Sequence, residues 1–472
     1  MDVAARLKEV ERELLSRRPE TSVDTAYNRV GELVELLGDP QRACPVIHIT
    51  GTNGKTSTAR MTDALLRARG LRTGRFTSPH LVSFRERIVI DGAPLTPEQF
   101  IAAYDDVFPY VTMVDQSHPV PMSFFEVLTG MAFSAFADAP VDAMILEVGV
   151  GGLLDCTNVA DGAVAVITPI ALDHTRLLGG TIEEIAAQKA GIIKPGAVAV
   201  LAQQPVAAAE VLIRRAAEVG ATVAREGMEF GVLSREQAVG GQQLGFRGLR
   251  GVYEDVYLPL FGEYQASNAA CALAAVEAFA GVAGEGEAID PGVVREAFAA
   301  VASPGRLEIL RRSPTVIIDA AHNPAGMAAT VAAVEESFSF TRLIGVFAAP
   351  ADKDVAGVLA ELEPLLSDIV VTRNSSDRSV DPDELGELAA EIFGVDRVTV
   401  TGRLDDAIEV AVGLADETTE DELPGSGAVL ITGSVITAGD ARILLAPGGG
   451  VLPPEPPPSQ PARHSFTAAE LS

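Results

Sequence analysis

Tryptophan is absent from the 472 residues and aromatic residues reach only 5%, so the interior has to be built from aliphatic side chains. Three cysteines, Cys44, Cys156 and Cys271, lie far apart with no CxxC pair. That excludes a disulfide framework and a thiolate zinc site, and fits a reducing compartment. Positive charge is scarce: 36 Lys and Arg against 65 Asp and Glu leave a net −29. Such a field repels a phosphate backbone, so no nucleic acid partner is expected. No uninterrupted apolar run reaches the ~18 residues of a membrane span. The start, MDVAARLKEVERELLSRRPE, has helical spacing but neither the apolar centre nor the cleavage site of an export signal. No membrane association and a cytoplasmic location are expected.

What is present is an ordinary globular composition, 47% hydrophobic and 21% charged. At ~100–200 residues per domain the length implies two or three domains. From 46 to 302 short β-branched runs alternate with Ala- and Leu-rich amphipathic stretches, the pattern of βαβ units around a parallel sheet. Strands are predicted at 46–50, 142–148, 163–168 and 197–202, a β insertion between Gly227 and Gly262, and a long Ala-rich helix after Asn268. A second series follows Ser303-Pro304-Gly305, with strands at 315–321, 343–349, 368–372, 398–401 and 428–433. The fold class is therefore α/β. A phosphate-loop domain with a parallel sheet spans 1–302, a smaller Rossmann-like α/β domain 303–446, and a Pro/Gly-rich disordered tail 447–472. The acidic run at 416–422 reads as a solvated loop.

The sharpest motif is Gly51-Thr52-Asn53-Gly54-Lys55-Thr56-Ser57-Thr58, between a strand and a helix. A Gly-rich turn lets backbone amides approach phosphates, the helix start adds partial positive charge, and Lys55 reaches the terminal phosphate oxygens. The spacing departs from GxxxxGK[ST], because Ile49 stands where the first Gly would be. Glu147 closes the strand MILEV at the sheet edge where ligands of open parallel sheets bind. With phosphate oxygens, such a carboxylate suits Mg²⁺, whereas a plain ion-paired strand end is the alternative. His174 follows the next strand and is free to bind a metal, act as a base or cap a turn. Lys189, amid apolar residues on a short amphipathic helix, reads more readily as a snorkelling surface lysine than as a buried one.

Taken in order, GTNGKTST, TSPHL at 77–81, FRERI at 84–88, SFFE at 123–126, EVGVGGLLDCTN at 147–158, LDHTRLLGGTIEEIAAQKAGIIKPG at 172–196, SNAA at 267–270, GRLE at 305–308 and DAAHNP at 319–324 resemble the folylpolyglutamate synthases. That family includes bifunctional dihydrofolate synthases and belongs with the Mur ligases, and the resemblance covers about 20 to 445. It implies an ATP-dependent ligase that adds L-glutamate to dihydropteroate or to folates through an acyl phosphate. Gly51 to Ser57, with Lys55, would hold the ATP phosphates; Ser78 and Glu147 would ligate Mg²⁺. His174 would hold a second Mg²⁺ together with a CO₂-derived carbamate on Lys189. Asn268 would lie on the adenine side, and Arg306, Asp319 and His322 would reach the nucleotide from the smaller domain. Phe124 and Ser434 would serve the substrates, and the resemblance suggests a monomer. Cys156 stands where the family commonly has Ala, TGSVITAGDAR lacks the family's frequent aromatic residues, and the tail has no counterpart.

Rival readings are a Mur-type ligase acting on a UDP-linked peptide and a nucleotide-binding regulatory module without activity. Lys55→Ala is expected to abolish ATP-dependent turnover while the circular dichroism spectrum stays native. Normal turnover in that variant would remove the phosphate-loop assignment.

Overall fold

A strand buried on both faces needs apolar side chains in both directions, and Val46–Thr50 (β1) is buried at every position. β1 lies within an eight-stranded sheet that also contains β2 (Thr73–Phe76), β3 (Ile88–Ile90), β4 (Ala93–Pro94), β5 (Ala143–Glu147), β6 (Gly162–Ile167), β7 (Val198–Leu201) and β8 (Thr222–Arg225). The spatial order is β4-β3-β2-β5-β1-β6-β7-β8, parallel from β2 to β8, with β3 and β4 antiparallel at one edge. The computed structural model that shows this describes residues 2–19, 26–282, 284, 286–417 and 427–456. Chain progress reverses about β1: β2 and β5 lie to one side, β6 to β8 to the other. Ligand crevices form at such switch points, and the motif at 51–58 leaves the carboxyl end of β1 there. Register sets Ile49 beside Glu147 and Thr50 beside Ile167, so the ends of β1, β5 and β6 share one rim.

The antiparallel strands β9 (Gly231–Ala238), β10 (Gly241–Arg247) and β11 (Val252–Leu258) form a three-stranded sheet. Phe246 and Tyr253 from it pack with Leu65 and Phe298 around the helix Glu263–Val282, whose Ala-rich surface is buried nearly all round. The remaining strands are β12 (Glu308–Arg312), β13 (Thr315–Ile318), β14 (Arg342–Phe347), β15 (Asp368–Val371), β16 (Val398–Val400) and β17 (Gly427–Thr432). They form a separate six-stranded sheet in the order β12-β13-β17-β14-β15-β16, parallel except for β12. Each of its faces has its own apolar core.

The β-branched runs read from the sequence fall on β1, β5, β6, β7 and on β13 to β17, each within a few residues. The Ala-rich helix begins at Glu263, ahead of Asn268, because Gly262 at φ +90 turns the chain there. Asp416 ends a helix, whereas 418–426 of the acidic run lie outside the described residues. Among the described residues no helix is long and apolar enough to cross a membrane.

Of the tail expected from Pro447 onward, the structure describes 447–456; residues 457–472 lie outside the described part. Composition missed a specific ionic contact, in which Glu455 accepts hydrogen bonds from Arg60 (2.8 Å), Arg67 (2.8 Å) and Arg75 (2.7 Å). Burial alone raises the Glu455 carboxyl, but Arg75, Arg60 and Arg67 outweigh it and hold it at about 2 against the ordinary 4.5. A depressed carboxylate contributes its stability above the unfolded value and loses it as pH falls toward the folded one, here from about 4.5 to about 2. Glu455→Gln is therefore expected to cost roughly 3 kcal/mol at pH 7. In thermal melts the gap to the parent chain should stay constant from neutral pH down to about 5 and then close.

Candidate active site

β1 ends at Thr50, and the helix Lys55–Ala68 starts after Gly54, so four residues make the turn. Two of them have no room for a side chain. A Cβ on Gly51 would lie 1.8 Å from Thr168 Oγ1, and one on Gly54, at φ +90, would lie 2.3 Å from Asn268 Oδ1. The loop is thus wedged between the end of β6 and the helix Glu263–Val282, with Asn268 packed directly on it. Thr52 ties it down further, its amide donating to Pro169 O (2.9 Å) and its hydroxyl to Ala171 O (3.0 Å). No side chain caps the helix start, which leaves its first amides and the positive end of its dipole for an anion.

The carbonyl of Gly51 receives two lysines. Lys55 Nζ donates to it at 3.2 Å and to Thr52 O at 3.1 Å, and Lys189 Nζ donates to it at 2.7 Å. Contrary to the surface reading of its helix Ile182–Ala190, Lys189 is 4% exposed. Burial, and then the charge of Lys55, pushes the Lys189 amine well below its usual range, and burial lowers Lys55 as well. Two ammonium groups on one buried carbonyl repel, so each works against the charged form of the other.

Beside this pair, Glu147 ends β5 and is 1% exposed. Its carboxylate accepts from Thr56 Oγ1 (2.9 and 3.0 Å) and from the Ser78 amide (3.3 Å), and has no ion pair among the described residues. Burial raises its pKa, with Lys55 the main opposing influence. Ser57 Oγ lies 3.0 Å from Ser303 Oγ, where the chain passes toward the six-stranded sheet.

The six-stranded sheet supplies the opposite wall. Asn53 and Asn323 exchange two side-chain amide hydrogen bonds, both 3.1 Å. Asp173 accepts from Asn323 Nδ2 (3.2 Å) and Lys353 Nζ (2.5 Å), and His322 Nε2 stands 3.6 Å away. Burial works against ionisation of Asp173, but His322 and Lys353 hold its carboxyl well below the usual carboxylate range. His174, in left-handed conformation (φ 49) at the start of the helix Thr175–Leu178, faces Lys353 Nζ at 3.3 Å through Nε2. Burial and then Lys353 push its imidazole down to about 4, so the ring is neutral at pH 7.

Arg306 sits on a turn between Gly305 (φ 70) and Leu307 (φ 44). Asp319 pins that turn, accepting from the amides of Leu307 (3.0 Å) and Ala321 (2.9 Å) and from Thr330 Oγ1 (3.1 Å). Arg306 lines a cavity with Thr56, Thr77 and His80. Phe124, first in the helix Phe124–Asp138, meets Phe84 edge-on (5.3 Å) and carries the Arg87 guanidinium over its ring (5.0 Å). Ser434 lies apart from these groups: its hydroxyl caps the helix Val435–Leu445 and accepts from Asn374 Nδ2 (3.1 Å).

Sequence reasoning missed Asp173, Asn323 and Lys353. The first two stood inside the motifs LDHT and HNP, next to the histidines that drew attention; Lys353 had no motif to mark it. Among the described residues no three His, Cys, Asp or Glu side chains converge as a metal cage. Mg²⁺ does not need one, since it takes one or two carboxylates with phosphate oxygens and water. The buried, ion-pair-free carboxylate of Glu147 beside the Thr56 hydroxyl is the donor set that suits it.

The chain matches the Mur ligase middle domain over 112–276 and the Mur ligase glutamate ligase domain over 305–435. It is 51% identical to the dihydrofolate synthase/folylpolyglutamate synthase of Mycobacterium tuberculosis, covering 94% of this chain and 95% of that protein. With the enzyme of the same name from Bacillus subtilis it shares 33% identity over 90% and 95%. Among solved structures, M. tuberculosis folylpolyglutamate synthase complexed with ADP superposes with a TM-score of 0.90 at 51% identity, over 94% of this chain and 99% of that one. E. coli FolC in complex with DHPP and ADP gives 0.80 at 29% identity, over 94% and 97%. At 51% identity over 94% of the chain, with both Mur ligase domains matched in order, this protein belongs to the dihydrofolate synthase/folylpolyglutamate synthase family of Mur-type ligases.

Proposed function

We propose that this protein is an ATP-dependent carbon–nitrogen ligase that joins L-glutamate to dihydropteroate, to reduced folates, or to both. The observation that carries the reading is the convergence of Lys55 and Lys189 on Gly51, beside Glu147 and Thr56, on the rim that the Arg306 turn faces from the six-stranded sheet. A substrate carboxylate oxygen attacks the γ-phosphorus of ATP, the bond to the β-phosphate oxygen breaks, and ADP leaves. The amine of glutamate then attacks the acyl carbon, inorganic phosphate leaves, and the amine gives up a proton to yield the amide.

Two anions have to meet, so the chain must offer positive charge at the junction. The loop amides of Gly51 to Ser57 and the Lys55 ammonium hold the phosphates, and Arg306 approaches from the other wall. Water would hydrolyse the acyl phosphate. The contacts Asn53 to Asn323 and Asp173 to Lys353 hold the walls together and exclude it. Glu147, Ser78 and the Thr56 hydroxyl would hold one Mg²⁺, and His174 with a carbamate on Lys189 a second; when bound, these ions neutralise phosphate oxygens. Carbamate formation needs a neutral amine, since the Lys189 nitrogen bonds the carbon of CO₂ and releases one proton. The burial of Lys189 beside Lys55 works toward that form. Asn268, Asp319 and His322 would serve the nucleotide, the last two from the smaller of two domains divided near 302. Phe124 would serve the pterin and Ser434 the glutamate. The reading includes a cytoplasmic monomer working on small molecules.

Phosphate release is to be measured with MgATP and L-glutamate, with 7,8-dihydropteroate or tetrahydrofolate as acceptor. Release with both makes the enzyme bifunctional and release with one assigns it; release only with a UDP-linked peptide would move it to the peptidoglycan ligases. Lys189→Ala is expected to lose at least ~100-fold in kcat, the scale of losing one preorganised charge-stabilising group. Part of that loss should return with added short carboxylates, and a fully active variant would remove the carbamate.

A further inference from the structure

The last described segment spends its polar groups on the larger domain. It leaves the helix Val435–Leu445 of the six-stranded domain, where Arg442 is ion-paired with Glu308 and donates to Gly450 O (2.9 Å). From that anchor it crosses to the other sheet. The Glu455 amide donates to Gly92 O (2.9 Å), and Arg67 donates to Pro456 O (3.0 Å). Arg75, 2% exposed, grips the Glu455 carboxylate with two bonds, 2.7 and 3.2 Å, and Arg60 and Arg67 add one each.

The charge count makes this contact specific. Asp63 is the other ion-pair partner of Arg67 and Arg75, and among the described residues Arg60 has Glu455 alone. Without Glu455, Asp63 would be the one remaining ion-pair partner of these nearly buried guanidiniums among the described residues, with Glu86 and Glu147 acting at longer range. Burial also shelters the pairs from salt, unlike a surface bridge. Midway along the segment Leu452, 8% exposed, forms part of the wall of the cavity shared by Thr56, Arg60, His80 and Arg306. That cavity is about 30 Å³, room for a water or two, so the segment helps keep the cleft shut.

We propose that residues 447–456 are an interdomain latch: Glu455, seated among Arg60, Arg67 and Arg75, holds the two domains in the closed arrangement, and Leu452 leaves the cleft wall when the latch lets go. The latch is intramolecular, and its test needs neither substrate nor turnover.

The chain has no tryptophan, so Val451→Trp, at a half-exposed position, gives a sole reporter of the segment. In the full chain, adding Glu455→Gln to Val451→Trp is expected to lower the tryptophan anisotropy and shift its emission to the red. By small-angle scattering, both Glu455→Gln and a chain ending at Gly450 should show a larger radius of gyration than the parent. Unchanged anisotropy and radius would overturn the latch. So would lowered anisotropy with an unchanged radius, because the segment would then be bound without restraining the domains. If Glu455→Gln does not fold, Glu455→Asp keeps the charge on a shorter arm, and the same readouts should move in the same directions; no movement again overturns the proposal.

Discussion

Everything at the rim depends on the path of four residues that have no room to move. Gly51 is pressed against Thr168 and Gly54 against Asn268, at distances that no side chain would survive. Because the turn is confined on both sides, the Gly51 carbonyl has one direction, and Lys55 and Lys189 both meet it. The same confinement starts the helix Lys55–Ala68 at the right height for Thr56 to reach Glu147, the register partner of Ile49 on the neighbouring strand. A substitution at either glycine would thus disturb the anion site, the buried amine and the carboxylate together.

The second wall is set by an equally local device. Among the described residues Arg306 makes no long-range hydrogen bond or ion pair, its guanidinium donating to the adjacent Gly305 O (3.0 Å); its direction comes from a turn with two left-handed residues, held by the buried carboxylate of Asp319. Asp319 thus fixes the turn that presents Arg306. Burial raises its pKa while the Arg306 charge opposes the rise, so the turn and the arginine stabilise each other. Where Arg306 is presented by backbone geometry, Lys353 is presented by charge, through Asp173 across the cleft.

Legibility in the sequence followed the range of the interactions. β-Branched runs buried on both faces announce themselves, which is why β1, β5 and β6 were readable while the short strands β2, β3 and β4, of four, three and two residues, were not. Most of the site was readable because it lies in contiguous motifs at strand ends. Lys189 was misread on its own pattern, because amphipathic spacing says which face of a helix is apolar and not whether a lysine's tip ends in water or on a carbonyl. Glu455 was invisible for a related reason: its partners lie nearly four hundred residues earlier, and Pro-rich composition describes the average behaviour of such segments, not one carboxylate facing three guanidiniums.

The choice between the two cations bears on the proposed use of the rim. The chain carries 36 basic residues but only five lysines, and three of them, Lys55, Lys189 and Lys353, gather here. Where a permanent charge suffices, as around Asp63 and Glu455, the sequence uses arginine, which stays protonated when buried. Lysine is the cation whose charge burial opposes, and Lys189 is crowded against Lys55 on one carbonyl, the placement on which the proposed carbamate would form. Arginine in that place would keep its charge when buried and could not carry the proposed carbamate.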